Sequence, residues 1–126
     1  MKKSDEYWKK KLTLEQYKIL RKKAIEEPFS GKYVKTTSKG DYICAGCGNE
    51  LFDSKTKFDS SCGWPSFYDA KKKAVKFIED FSYGMNRTEV VCKKCGGHLG
   101  HIFDDGPKPT GKRFCINSLA LELKEK

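Results

Sequence analysis

The chain has 126 residues, 37% of them hydrophobic and 13% aromatic, and a formal net charge of +9 from 26 Lys+Arg against 17 Asp+Glu. That length suits one domain, here residues 1–126, and the aromatic content excludes a disordered chain. No stretch approaches the ~20 apolar residues of a membrane-spanning helix, so no membrane partner is expected.

The first residues, Met1-Lys2-Lys3-Ser4, have no apolar run behind them, which predicts no secretory signal and a cytoplasmic protein. A helical segment is expected over about residues 4–27. Trp8 and Leu12 suggest a short first turn. Thr13-Leu14-Glu15-Gln16 then fits a capping box, with Thr13 as N-cap and Gln16 reaching back. Leu14, Tyr17, Leu20 and Ala24 follow at helical spacing, Ile25 widens the stripe, and Pro28 ends the helix at or before Glu27. This segment is expected to pack on the outside of the main body.

A β domain is expected over about residues 33–123. Asp41-Tyr42-Ile43-Cys44 and Glu50-Leu51-Phe52 flank a glycine-bearing turn. Residues 74–78 and 88–92 alternate in the manner of half-buried strands, and 99–103 is a further short strand. Arg113 to Leu123 reads as the longest strand. Gly106 to Gly111 is a loop by composition. The fold class is therefore mainly β and antiparallel, with a helical N-terminus.

The basic charge suggests either a nucleic-acid partner or a solvated lysine-rich surface. Lysines are scattered, and the arginines that read bases and phosphates well number only three, Arg21, Arg87 and Arg113. We therefore expect no nucleic-acid partner.

The six cysteines separate into two groups. Cys44-Ala45-Gly46-Cys47-Gly48 and Cys92-Lys93-Lys94-Cys95-Gly96 share one form: two residues between cysteines, then glycine. That spacing lets both sulfurs reach one tetrahedral ion, so Cys44, Cys47, Cys92 and Cys95 read as a closed structural Zn2+ site. The other readings are a redox dithiol or buried free thiols. Cys62 and Cys115 stand apart. Strand alternation puts Arg113, Cys115 and Asn117 on one face, where a thiolate would find polar neighbours; a strand cysteine is also commonly a small buried hydrophobe. The two histidines, His98 and His101, are free for proton transfer or are simple turn residues. Trp64 is either core or the wall of an apolar pocket.

Cys44-x-x-Cys47, Cys62-Gly63-Trp64-Pro65-Ser66-Phe67, Cys92-x-x-Cys95, His98-Leu99-Gly100-His101-Ile102-Phe103-Asp104-Asp105-Gly106-Pro107 and Arg113-Phe114-Cys115-Ile116-Asn117 occur in that order. Together they resemble the peptide methionine-(R)-sulfoxide reductases, from about Leu12 to Leu123. The resemblance implies two small antiparallel sheets forming a β-tent-like barrel, with zinc at the edge. It implies peptide-bound methionine-(R)-sulfoxide in oxidised proteins as substrate, and thioredoxin as reductant of a monomeric enzyme. It also implies roles: Cys115 as nucleophile, Cys62 as resolving cysteine, Trp64 as the wall for the substrate methyl group, and His98, His101 and Asn117 as the groups on the sulfoxide oxygen. Phe103, Asp105 and Arg113 are implied as further substrate-side residues. The alternative is a non-catalytic zinc-bearing β module that binds a small ligand or protein partner, which needs neither Cys62 nor the Arg113–Asn117 run.

Overall fold

The computed structural model describes residues 3–125. Helix α1 (Asp5–Lys11) is capped by Ser4, whose hydroxyl accepts from the Tyr7 amide. Helix α2 (Leu14–Lys22) carries the expected capping box, with Thr13 and Gln16 exchanging bonds of 3.1 Å. It stops five residues short of Glu27. Lys23 takes a left-handed conformation (φ 58°) and the Ala24 amide turns back to the Lys18 carbonyl, an ending that satisfies the helix C-terminus. Residues 24–29 then run as a non-helical arm.

The helical segment lies on the outside of the main body and sends one face into the core. Trp8 is 1% exposed, and Tyr17, Ile19 and Leu20 are also buried. The reason lies in the cysteine turns. Gly46 and Gly97 lack side chains where the Trp8 ring and Leu20 approach, and Arg21 donates to the Cys95 carbonyl at 3.0 Å. Leu14 and Ile25, assigned to the apolar stripe, are exposed instead.

Among the described residues nine strands follow: β1 (Gly40–Cys44), β2 (Glu50–Asp53), β3 (Lys57–Phe58), β4 (Ser66–Phe67), β5 (Val75–Asp80), β6 (Arg87–Cys92), β7 (His98–Phe103), β8 (Arg113–Ile116) and β9 (Leu121–Glu125). They form two antiparallel sheets, β2-β1-β9 and β3-β4-β8-β7-β6-β5. Strands β3 and β4, two residues each, are too short for a period-two signal. The stretch from Arg113 onward is two strands in different sheets. The carboxylate of buried Glu26 accepts from the Ser118 and Leu119 amides (2.9 and 3.0 Å), and a 3-10 turn (Ser118–Ala120) separates β8 from β9. An aromatic seam joins the sheets: Phe52 stacks on Phe67 with centroids 4.3 Å apart and meets Phe114 edge-on. Such pairs add about 0.5–1.5 kcal/mol each beyond the area they bury.

Candidate active site

The register of the six-stranded sheet builds the site. Ser66, Cys115, His101 and Glu89 stand opposite one another on β4, β8, β7 and β6. A row of directly paired residues presents its side chains on one sheet face. His98 lies three residues before His101, and regular alternation would send it to the opposite face. A bulge prevents this. Val90 and Val91 pair with Gly100 and His98, so Leu99 is an extra residue in β7. Both imidazoles therefore reach the same cavity, with centroids 5.5 Å apart. On its other side, β7 requires the next residue to be glycine: a Cβ on Gly100 would lie 2.0 Å from the Cys115 carbonyl oxygen on β8.

The two sulfurs outside the cysteine turns meet at this face. Cys62 Sγ lies 3.5 Å from Cys115 Sγ. No loop movement is needed to bring them into contact. Cys62 belongs to the loop between β3 and β4, and its sulfur also touches the Ser66 hydroxyl at 3.4 Å. The Cys115 S–H, with help from the hydroxyls of Ser60 and Ser66 and against burial, brings Cys62 down to about 4. The same contact with Cys62, followed by burial, pushes Cys115 up, and the Arg113 guanidinium opposes that. Both directions arise from the one sulfur–sulfur contact, and the Arg113 guanidinium favours the thiolate at Cys115.

Each histidine is held by a buried carboxylate. His98 Nδ1–H donates to Glu89 Oε2 and His101 Nε2–H donates to Asp80 Oδ2, both at 2.7 Å. A carboxylate only accepts, so these contacts fix the protonated nitrogen on each ring and leave His98 Nε2 and His101 Nδ1 for other partners. Burial lowers His98 below the ordinary imidazole value, although Glu89 pulls the other way. The His101 ring N–H, then the Ser82 amide and hydroxyl, hold Asp80 well below the usual carboxylate range.

The cavity, of about 280 Å3, is lined by Cys62, Trp64, His98, His101, Phe103, Arg113, Cys115 and Asn117. Trp64 is fixed by its indole N–H, which donates to the Glu26 carbonyl at 3.0 Å. Arg113 lies over the Phe103 ring at 4.4 Å and pairs with Asp105, which stands behind it on the surface rather than in the lining. Asn117 donates from Nδ2 to the Leu99 carbonyl (3.1 Å) and accepts at Oδ1 from the Glu26 amide (3.4 Å), leaving one amide hydrogen for a ligand. Eight of the nine residues singled out by sequence thus line one cavity, and the ninth, Asp105, reaches it only through Arg113. Sequence reasoning missed Ile25 and Arg87 in the lining, and Asp80, Glu89 and Glu26 behind it. The buried acids carry no motif of their own; only pairing with the histidine strand reveals them.

Away from this cavity, the sulfurs of Cys44, Cys47, Cys92 and Cys95 lie within 4.8 Å of one another. Contacts of 3.7 Å (Cys44–Cys95) and 3.6 Å (Cys47–Cys92) are near the ~3.8 Å edge of a tetrahedron with ~2.3 Å metal–sulfur bonds. The two turns repeat one geometry: the Gly48 and Gly96 amides each donate to the preceding knuckle carbonyl, of Cys44 and Cys92, at 2.8 Å. Both glycines have left-handed φ, 80° and 76°, where a side chain would be strained. The donor set fits a metal dication.

The SelR domain family matches residues 12–125. The chain is 60% identical over 123 residues to the peptide methionine sulfoxide reductase MsrB of Methanosarcina barkeri, covering 97% of this chain and 87% of that protein. It belongs to the MsrB family. The MsrB of Leptospira interrogans is 56% identical over 124 residues (98% of this chain, 95% of the relative), and that of Bradyrhizobium diazoefficiens 58% over 125 residues (98% and 90%). MsrB membership sets aside the non-catalytic β module.

Proposed function

We propose that the protein reduces peptide-bound methionine-(R)-sulfoxide, with Cys115 as nucleophile and Cys62 as resolving thiol. The observation that carries this reading is the 3.5 Å contact of those sulfurs on a cavity that also holds Trp64 and two carboxylate-anchored imidazoles. Cys115 is assigned the attack because it sits on a strand directly across from His101 and near Arg113, whereas Cys62 belongs to a loop. The substrate methyl group lies against the Trp64 indole, and Phe103 with Arg113 and its partner Asp105 close the other side. Asn117 Nδ2 and the free nitrogens of His98 and His101 surround the sulfoxide oxygen.

A sulfoxide oxygen leaves sulfur readily only when protonated, so the imidazoles supply the acid that the step requires. The Cys115 thiolate attacks the sulfoxide sulfur, oxygen passes to Cys115, and methionine departs from a Cys115 sulfenic acid. The Cys62 thiol condenses with that acid, releasing water and forming a Cys62–Cys115 disulfide. A dithiol reductant, thioredoxin, restores both thiols by exchange. The four-cysteine cluster holds Zn2+ structurally; when bound, the ion neutralises the thiolates and ties the two turns together. We further assign the protein to the cytoplasm as a monomer, since a reducing compartment keeps such thiols available.

Epimer-resolved turnover of a blocked methionine sulfoxide tests this. Cys115→Ser should retain metal and lose all reduction of the R epimer. Cys62→Ser should form about one methionine per enzyme and then stop with thioredoxin. Retained turnover in the first variant, or unimpaired cycling in the second, overturns the assigned roles.

A further inference from the structure

We propose that Lys23, at the end of α2, is a positioning residue for sulfoxide reduction: its ammonium bridges the two buried carboxylates that hold His98 and His101. This rests on the reading above that those imidazoles handle the proton. Lys23 Nζ lies 3.1 Å from Glu89 Oε1 and 3.8 Å from Asp80 Oδ1. Each carboxylate is divided in the same way. Glu89 gives Oε2 to His98 and Oε1 to Lys23; Asp80 gives Oδ2 to His101 and Oδ1 to Lys23. One cation thus joins both ring-anchoring acids, and it comes from outside the sheet that carries them.

Two buried carboxylates beside one cavity repel each other and lose hydration. The Lys23 ammonium offsets both effects and fixes which oxygen faces each ring. Arg87 on β6 is the other cation beside Asp80, at 3.8 Å from Oδ2. Across the cavity the rings face Cys62, Cys115 and Arg113. The arm that follows Lys23 acts on the rest of the same site: the Glu26 carbonyl holds Trp64, its amide meets Asn117, and the Phe29 amide donates to the Gly63 carbonyl at 2.6 Å. The helical segment therefore sets ring geometry as well as stability. The Lys23 charge also lowers His98, so removing it should let the imidazole titrate at higher pH.

The test compares parent, Lys23→Gln and Lys23→Arg as full-length, metal-loaded proteins. Imidazole proton NMR gives the titration of both histidines, and methionine formation from a blocked R sulfoxide gives kcat and KM against pH. Lys23 is half exposed, so Gln should be accommodated. In Lys23→Gln at least one imidazole midpoint should rise by about half a pH unit, and kcat should fall roughly two- to fivefold with KM little changed. Lys23→Arg should restore both. A Lys23→Gln protein that matches the parent in imidazole titration and kcat overturns the proposal, as does a Lys23→Arg protein that restores neither. A parent that forms no methionine sinks the reductase reading and the catalytic role of Lys23 with it. The NMR arm distinguishes that failure from a lack of coupling between Lys23 and the rings.

Discussion

Cys115 is flanked on its sheet face by Ser66 on one side and His101 on the other, with Arg113 two residues before it. That neighbourhood, rather than the thiol alone, makes the residue chemically useful. The histidines behave similarly: their value comes from Glu89 and Asp80, which hold one nitrogen of each ring. Replacing Glu89 by Gln keeps the shape and removes the charge, and steady-state kinetics should show kcat reduced at least tenfold, within the range spanned by loss of positioned acid–base groups. A pH effect on stability follows from His98. Burial lowers its pKa below the unfolded value of ~6.5, so the unfolded chain binds more protons as the solution becomes acidic. The stability is full at neutral pH and declines as pH falls through the unfolded value. Urea unfolding at pH 7.5 and 5.5 should show a smaller decline for His98→Gln than for the parent; equal declines would contradict this account.

At the scale of elements, the bulge in β7 decides whether two imidazoles share a cavity. Gly100→Ala places a methyl group against the Cys115 carbonyl, forcing β7 and β8 apart. The expected cost is about 1–3 kcal/mol in denaturant unfolding, typical of overpacking, together with a lower rate of methionine formation. The capping box, the paired cysteine turns and most strands were readable because their signals are local: a fixed spacing or an alternation. The end of α2 and the break after β8 were not. The first is closed by Lys23 and Ala24, and the second lies where Glu26, four residues past the helix, binds amides some ninety residues further along. Apolar periodicity through Ala24 and Ile25 carries no trace of that distant demand. Likewise the resemblance found the cavity's sulfurs, indole and imidazoles, while Asp80, Glu89 and Lys23 emerged only when three separate segments packed together.

For the whole molecule, the helices and the four-cysteine cluster form one structural unit. Trp8 and Leu20 pack on the cysteine turns, and β1, which carries Cys44, pairs with β9. Metal binding in such clusters contributes folding free energy on the order of 10–16 kcal/mol, comparable to the whole stability of a domain. A strong chelator should therefore release one metal per chain and unfold the protein, as circular dichroism and metal analysis would show. Cys44→Ser should have the same effect without a chelator. A chain that stays folded and active after complete metal loss would refute a structural metal.

The topology also orders events at the ribosome. Synthesis runs from the first residue onward, and Cys44, Cys47, Cys92 and Cys95 are all translated before Cys115. The four clustered thiols are thus made ahead of the Cys115 thiol. The arm of residues 24–29 is made earlier still, and it meets Asn117 only once the Arg113–Asn117 run has been added. Synthesis therefore brings the strand of Cys115 to its cavity late.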